Sequence, residues 1–308
     1  MKRSESFFYN SAKYLYSRFP FRRSICLFIK YLRIPNSSFY KYLTFQGLFQ
    51  VKLRKGNAFK MYHHGGHIEN ETFWKGLFNT WESDTGWIWK QLCPISNIIF
   101  DVGANTGIYS LVAKSLNPTS KVYAFEPSIN TFNSLVLNNS INKYDICCEQ
   151  LAISNSNSKS IFYDVPNINQ TSASLSSKML KDANYYTGEI FEYEVITKTL
   201  NSYIQSKKLQ TVDLIKIDIE MHEPEAIEGL GKYLNEFKPV IIIEVLSEDV
   251  AENLNNQIGE DFNIFHLVGP SLAVQTNKFI KDSVHWNFLF FHKDLDEKIR
   301  NYTSLYQQ

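Results

Sequence analysis

The sequence predicts an α/β fold: a doubly wound, mostly parallel sheet of seven strands with helices on both faces. Three observations predict it. From Ile98 onward, short apolar runs alternate with segments of helical spacing. Two of these runs, LIKID (Leu214–Asp218) and VIIIE (Val240–Glu244), are close to continuously apolar, as strands covered on both faces must be. The run Ile98–Val102 ends in a glycine-bearing turn and leads directly into a helical pattern, which is the crossover a parallel sheet requires.

The elements follow in chain order. Residues 1–60 carry thirteen Lys/Arg and a single acid, Glu5, whereas the remainder carries nineteen basic and thirty acidic residues. The net charge of +1 therefore hides two opposed halves, which face different surroundings or face each other. Helices are expected before Pro20 and between Phe21 and Arg33, the latter stopped by Pro35. A strand pair is expected at Phe49–Leu53 and Ala58–Tyr62, with His63–His67 as a polar turn rather than a metal site. One long helix, Glu71–Leu92, would carry Trp74, Trp81, Trp87 and Trp89.

The alternating series then gives strands at Ile98–Val102, Lys121–Phe125, Ile146–Ile153, Asp213–Ile217, Val240–Glu244, Phe262–Leu267 and Asn287–Phe291, the last antiparallel. Ser160–Asp164 is a further extended piece. Helices are expected at Ile108–Leu116, Asn130–Asn139, Thr199–Ser206 and Glu223–Leu230. Pro166–Gly188 is rich in Asn, Ser and Thr and reads as a long loop. The implied division is an accessory region at 1–91, an α/β domain at 92–294 and a tail at 295–308.

Composition places the chain among ordinary globular proteins, with 44% hydrophobic and 20% charged residues. Cys26, Cys93, Cys147 and Cys148 have neither zinc-site nor disulfide-framework spacing, so free thiols are expected. No run reaches the ~20 apolar residues of a membrane span, and no signal-peptide cleavage pattern is present. The expected compartment is the cytoplasm. The basic, aromatic segment 1–60 is expected either to touch an anionic membrane at its inner surface or to pack on the acidic domain.

In such a sheet, ligands sit at the carboxyl ends of the strands. The residues there are Asp101, Glu126, Asp218 and Glu244. In IIFDVGANTGIYS, Gly103 permits close backbone approach, and Gly107 opens a helix whose free amides favour a carboxylate; Asp101 would suit an ammonium group. This D-x-G-x-x-x-G pattern lacks the second glycine that dinucleotide binders use for the pyrophosphate, which argues against a nucleotide-dependent dehydrogenase. About twenty residues on, Glu126 is placed to accept hydrogen bonds from both hydroxyls of a ribose. In IKIDIEMHEPEAIEG, Asp218, Glu220, His222 and Glu223 gather ionisable groups at one strand end, as proton transfer requires. His222 has the intrinsic pKa of a base at neutral pH; Asp218 is the alternative, as base or as orienter. Asp218, Glu220 and Glu244 could converge on a hard cation, but no spacing demands it and none is expected.

The ordered series DVGANTGIYS, FEPS, TLNSYI, DLIKIDIEMHEPEAIEGL and PVIIIE resembles the FkbM family of class I methyltransferases over Ile98–Glu244. That resemblance implies a Rossmann-like fold and S-adenosylmethionine as cofactor, held by Asp101, Gly103, Asn105, Gly107 and Glu126, with Ala152 beside the adenine. It implies methylation of a hydroxyl, with Asp218, His222 and Glu220 as the catalytic set. The family commonly has glycine where Met221 stands. The acceptor is expected to be a small molecule or a sugar in a glycan; a polyketide hydroxyl stays open. Nucleic acid is not expected, because the domain is acidic and Asp218-Ile219-Glu220 stands where amide-methylating enzymes carry N-P-P-Y.

Overall fold

The computed structural model describes residues 19–32, 40–53, 56–164, 174–175 and 190–305. The helix expected before Pro20 and most of the loop 166–188 lie outside them. The first described elements are helix α1 (Arg22–Tyr31) and an antiparallel strand pair, β1 (Gly47–Lys52) with β2 (Ala58–His63). Helices α2 (His67–Lys75) and α3 (Ser83–Leu92) replace the single helix expected over 71–92. The break has a backbone cause: Gly76, Phe78 and Glu82 all take positive φ, at 91°, 55° and 44°, which no helix continues through. Gly86 then admits the Phe78 ring, which would lie 2.0 Å from a Cβ at that position.

The main sheet is built from β3 (Ile98–Val102), β4 (Lys121–Phe125), β5 (Cys147–Glu149), β9 (Leu214–Ile217), β10 (Val240–Glu244), β11 (Phe262–Gly269), β12 (Leu272–Thr276) and β13 (Asn287–His292). Its order is β12-β11-β13-β10-β9-β3-β4-β5. The run β10-β9-β3-β4-β5 is parallel, and β13 enters antiparallel between β10 and β11. These are the seven expected strands, extended by an eighth, β12, which forms a hairpin with β11.

The strand order reverses between β3 and β9, because α4 (Ile108–Leu116) and α5 (Ile129–Asn142) carry the chain one way and later crossovers carry it the other. Such a switch point opens a crevice at the strand ends.

The third expected strand splits. β5 stops at Glu149, whose carbonyl accepts from Leu151 N at 3.0 Å, and the chain resumes as β6 (Ala152–Ile153) in a separate sheet. That sheet, ordered β6-β8-β7, contains β7 (Ser158–Asp164) and β8 (Phe191–Lys198), a strand the sequence did not announce. Helices α6 (Leu200–Lys207) and α7 (Glu223–Leu230) stand as expected, while α8 (Tyr233–Phe237), α9 (Glu248–Gln257) and α10 (Asp296–Tyr302) are additions.

Apolar residues cover both sheet faces, which is why the strands read as continuous runs. One face packs Phe100, Phe125, Tyr203, Ile215, Ile241 and Phe290 together. The other joins Ile99, Leu111, Leu289 and Phe291 to Trp89, Phe73, Phe45 and Met61 of residues 1–91 and to Ile299 and Leu305 near the chain end. None of the four cysteines is in a disulfide.

Candidate active site

A cavity of about 600 Å³ lies at the carboxyl ends of β3, β4, β9 and β10. One wall is the turn after β3. Gly103 has φ 81°, and a Cβ there would lie 1.8 Å from the Asp218 carbonyl oxygen, so only glycine lets the β3 and β9 ends meet. Asn105, at φ 49°, accepts from Thr106 N through its own side chain at 2.8 Å, a local bond that suits asparagine to a left-handed position.

Glu126 closes this wall. Its two carboxylate oxygens accept from Asn105 N and Ser128 N, each at 2.8 Å. Burial pushes its carboxyl up to about 7, against those stabilising amides. The Thr131 hydroxyl is a third partner, and the carboxylate still keeps lone-pair capacity for a ligand in the cavity. Asp164 stands alongside, accepting from Ser128 Oγ and Tyr193 Oη at 2.7 Å each. Ala152 lines the same side.

Asp101 and Gly107 are placed differently. Neither is among the residues lining the cavity. Asp101 Oδ2 accepts from Ser110 N at 2.9 Å and Ser110 Oγ at 2.6 Å, so the anion at the start of α4 is the protein's own. Gly107 has φ 88°, and a Cβ there would lie 2.5 Å from Leu135 Cδ1; it lets α5 pack against the turn.

The opposite wall is acidic. Asp218 ends β9 and faces the cavity, with Oδ2 2.6 Å from Lys216 Nζ. Lys216 sits two residues earlier on the same strand face, 3% exposed, and its ammonium also lies 3.9 Å from Glu82 and 4.3 Å from the Tyr109 ring centroid. Its pKa is raised despite burial, because Asp218, Glu82 and Asp101 surround it. Glu220 and Met221 follow in left-handed conformation, at φ 58° and 74°; glycine would take the second without strain.

Burial, then the Asp218 charge, raises the Glu220 and Glu244 carboxyls well above their ordinary range. Asp218, Glu220 and Glu244 bring carboxylate oxygens within 4.8 Å of one another, a spacing that could hold one hard cation; Lys216 already places a positive charge against Asp218.

His222 lines the cavity, but both its ring nitrogens have protein neighbours. Nε2 lies 3.0 Å from Ser154 Oγ and Nδ1 3.5 Å from Glu225. Burial lowers its pKa below the ordinary 6.5.

Sequence reasoning missed three site residues. Lys216 reads as an oddity inside an apolar strand. Glu82 comes from the loop before α3, 134 positions from Lys216, and no local motif marks it. Its carboxylate accepts from Tyr109 Oη and is raised by burial to about 7. Asp164 lies in the small sheet. Of the aromatic residues in the stretch Glu71–Leu92, Trp81 reaches the cavity, joined by Trp286. Trp87, Trp89, Phe73 and Phe78 are core, and Trp74 stacks on Tyr40 with ring centroids 4.4 Å apart.

Residues 101–302, about two thirds of the chain, match the model of the methyltransferase FkbM domain; the match takes in both carboxylate walls of the crevice but not Trp81 or Glu82. The chain belongs to the FkbM methyltransferase family. Curated relatives of this FkbM chain are distant. It is 25% identical over 148 residues to Methyltransferase 1 of Beauveria bassiana, covering 44% of this chain and 59% of that one. It is 26% identical over 173 residues to Methyltransferase sdnD of Sordaria araneosa, covering 49% and 67%. The chain thus spans about three fifths of the first relative's length.

Among solved structures, the FkbM methyltransferase of Methylobacillus flagellatus aligns with TM-score 0.39 at 15% identity, over 64% of this chain and 44% of that one. An O-methyltransferase of Bacillus cereus in complex with SAH aligns with TM-score 0.39 at 14% identity, over 70% and 82%. No helix among the described residues of this FkbM methyltransferase is long and apolar enough to cross a membrane.

Proposed function

We propose that the protein transfers the methyl group of S-adenosylmethionine to a hydroxyl of a sugar in a glycan or glycoconjugate. The observation that carries this reading is the two-sided cavity: the Gly103–Glu126 wall and the Asp218 wall face one space. The first wall fits the cofactor. Gly103 and Asn105 bring backbone up to it, the buried Glu126 carboxylate offers free lone pairs to a ribose diol, and Ala152 leaves room for a flat ring. Asp101 and Gly107 shape this turn from behind.

When bound, the cofactor supplies an electrophilic methyl group on a sulfonium. The chain's residues must supply a nucleophile, because a neutral alcohol is a poor one. Asp218 accepts the hydroxyl proton, since it faces the cavity and Lys216 fixes one of its oxygens in place. Glu220 and Glu244 bound the acceptor hydroxyl's side. His222, engaged at both nitrogens, contributes as an orienter of the β9–α7 turn more than as a base. Bound S-adenosylmethionine would give its methyl group to the hydroxyl oxygen and leave as S-adenosylhomocysteine, with Asp218 holding the proton.

Support for a sugar comes from Trp81 and Trp286 as stacking faces and from Asn130, Thr131, Ser83 and Asn287 as neutral hydrogen-bonding groups in the same cavity. The test offers purified enzyme and labelled cofactor to panels of glycans, polyketides and nucleic acids. Label on glycan supports the reading; label only on nucleic acid or protein overturns it, and label only on a polyketide moves the acceptor to that class.

A further inference from the structure

Helix α1 carries apolar side chains on its outer side as well as its inner one. Its inner side packs Ile29 on the core and is pinned there by polar groups. Cys26 is fully buried, its thiol donating to the Leu43 carbonyl at 3.8 Å. The Lys30 ammonium donates to the Phe73 carbonyl, and Arg23 Nε donates to the Leu48 carbonyl at 3.1 Å. The outer side is apolar. Leu27, Phe28 and Tyr31 share one face at helical spacing, with Phe21 just before the helix and Leu32 just after. Phe21, Phe28 and Tyr31 are 63%, 62% and 82% exposed. Leu48, whose carbonyl holds Arg23, is a further exposed apolar side chain beside it. A surface helix ordinarily presents its charges to water and its apolar stripe to the core.

The charge around this face is of one sign. No Asp or Glu occurs between Glu5 and Glu69. Arg23, Lys41, Lys52 and Lys60, on α1, on the turn before β1, and on β1 and β2, are exposed. An apolar helix face in an acid-free, basic stretch of chain is complementary to a surface that is apolar within and anionic at its rim. At 10 residues, α1 is far too short to span a bilayer and is suited to lie in its interface.

From this juxtaposition we infer that α1 is a membrane-docking helix: Phe21, Leu27, Phe28, Tyr31 and Leu32 enter the headgroup–acyl boundary of an anionic bilayer, and the surrounding lysines and arginines bind its headgroups. The inference stands independently of the acceptor. It places the enzyme on a membrane surface, where a lipid-linked acceptor would be presented.

The experiment is co-sedimentation of the full chain with phosphatidylcholine vesicles, with and without phosphatidylserine. Binding is expected with phosphatidylserine, weakening as salt is raised. Phe28→Ser/Tyr31→Ser should lower vesicle affinity by roughly tenfold or more, because two exposed rings no longer insert. Both side chains project outward, so thermal unfolding and S-adenosylhomocysteine binding should stay as in the unsubstituted chain. Two results would overturn the inference. One is no binding to either vesicle, or binding that ignores the double substitution. The other is a concentration-dependent dimer in light scattering that the same substitutions abolish, which would assign the face to a second copy of the chain.

Discussion

Replacing Glu126 by Gln tests the cofactor wall most directly. In the structure both carboxylate oxygens are held by backbone amides, Asn105 N and Ser128 N, at 2.8 Å. Gln keeps one acceptor oxygen and turns an NH2 group toward the other amide, so one amide loses its partner and one ribose hydroxyl loses its acceptor. A hydrogen bond to a charged group contributes about 1.5–3 kcal/mol. Affinity for S-adenosylhomocysteine should therefore fall roughly ten- to hundredfold, and the orphaned amide should cost about 1–3 kcal/mol of stability.

The pH dependence has a defined sign. The Glu126 carboxyl sits at about 7, so it is ionised above that pH and protonated below it. Ribose hydroxyls donate better to the ionised form. Affinity of the unsubstituted chain should accordingly decline as pH falls below about 7, and the Gln variant should lose that dependence. Isothermal calorimetry at several pH values measures both. Equal affinity in a folded Gln variant, or a pH profile that both proteins share, would refute the ribose role.

Three further outcomes follow from the same geometry. Asp218→Asn should cut turnover by about 10²–10⁴ while leaving S-adenosylhomocysteine affinity within a few-fold; a variant with full turnover at neutral pH would move the base elsewhere. Gly103→Ala forces a Cβ against the Asp218 carbonyl at a positive φ and should destabilise the protein by roughly 2–5 kcal/mol, read by urea unfolding; an unchanged midpoint would show that the β3 and β9 ends can separate freely. Glu82, Glu126 and Glu223 have carboxyls raised by burial to about 7, 7 and 8. Their contribution is full below the unfolded value near 4.5 and is lost as pH rises through 7–8, a loss of about 3 kcal/mol for Glu126 alone. The melting temperature of the ligand-free protein should thus fall between pH 5 and 8, and a rise would contradict the burial of these acids.

The Gly103–Glu126 wall of the cavity was legible because it is local. Asp101, Gly103, Asn105 and Gly107 fall within seven residues, and Glu126 follows one crossover later, so a strand–turn–helix pattern fixes their relative placement. On the Asp218 wall only the strand-end residues Asp218, Glu220 and Glu244 were legible, because Glu82, Lys216 and Trp286 join them only after the sheet has folded. Even within the motif, residue type did not reveal direction. Asp101 reads as a ligand group at a strand end, yet its carboxylate turns back to cap α4 through Ser110.

The missed helix break at 76–82 has the same origin. Phe78 and Glu82 carry no turn signature, and their left-handed backbone is imposed by packing of Phe78 against Gly86 and by the contacts of Glu82 with Tyr109 and Lys216. The unannounced β8 matters for the site as well, since Tyr193 on it holds Asp164 at the cavity wall.

Charge on the acidic wall restricts the acceptor further. Glu82, Asp218, Glu220 and Glu244 border the cavity against Lys216, the single Lys or Arg among the described lining residues. Even with Glu220 and Glu244 protonated, as burial favours, the wall carries no positive charge in excess. An anionic acceptor would bring its own charge into this partly dehydrated space, where like charges a few ångströms apart repel by about 1–4 kcal/mol at effective dielectric constants of roughly 80 to 20. A neutral hydroxyl meets no such penalty and finds acceptors for its proton on every side.

Neutral sugars should therefore be methylated at least about tenfold more efficiently than otherwise matched uronic-acid or phosphorylated sugars, as judged by kcat/KM. The discrimination should shrink in Glu82→Gln, which removes one charge without touching Asp218. Equal use of neutral and anionic acceptors, unaltered by Glu82→Gln, would mean that the acceptor does not approach this wall.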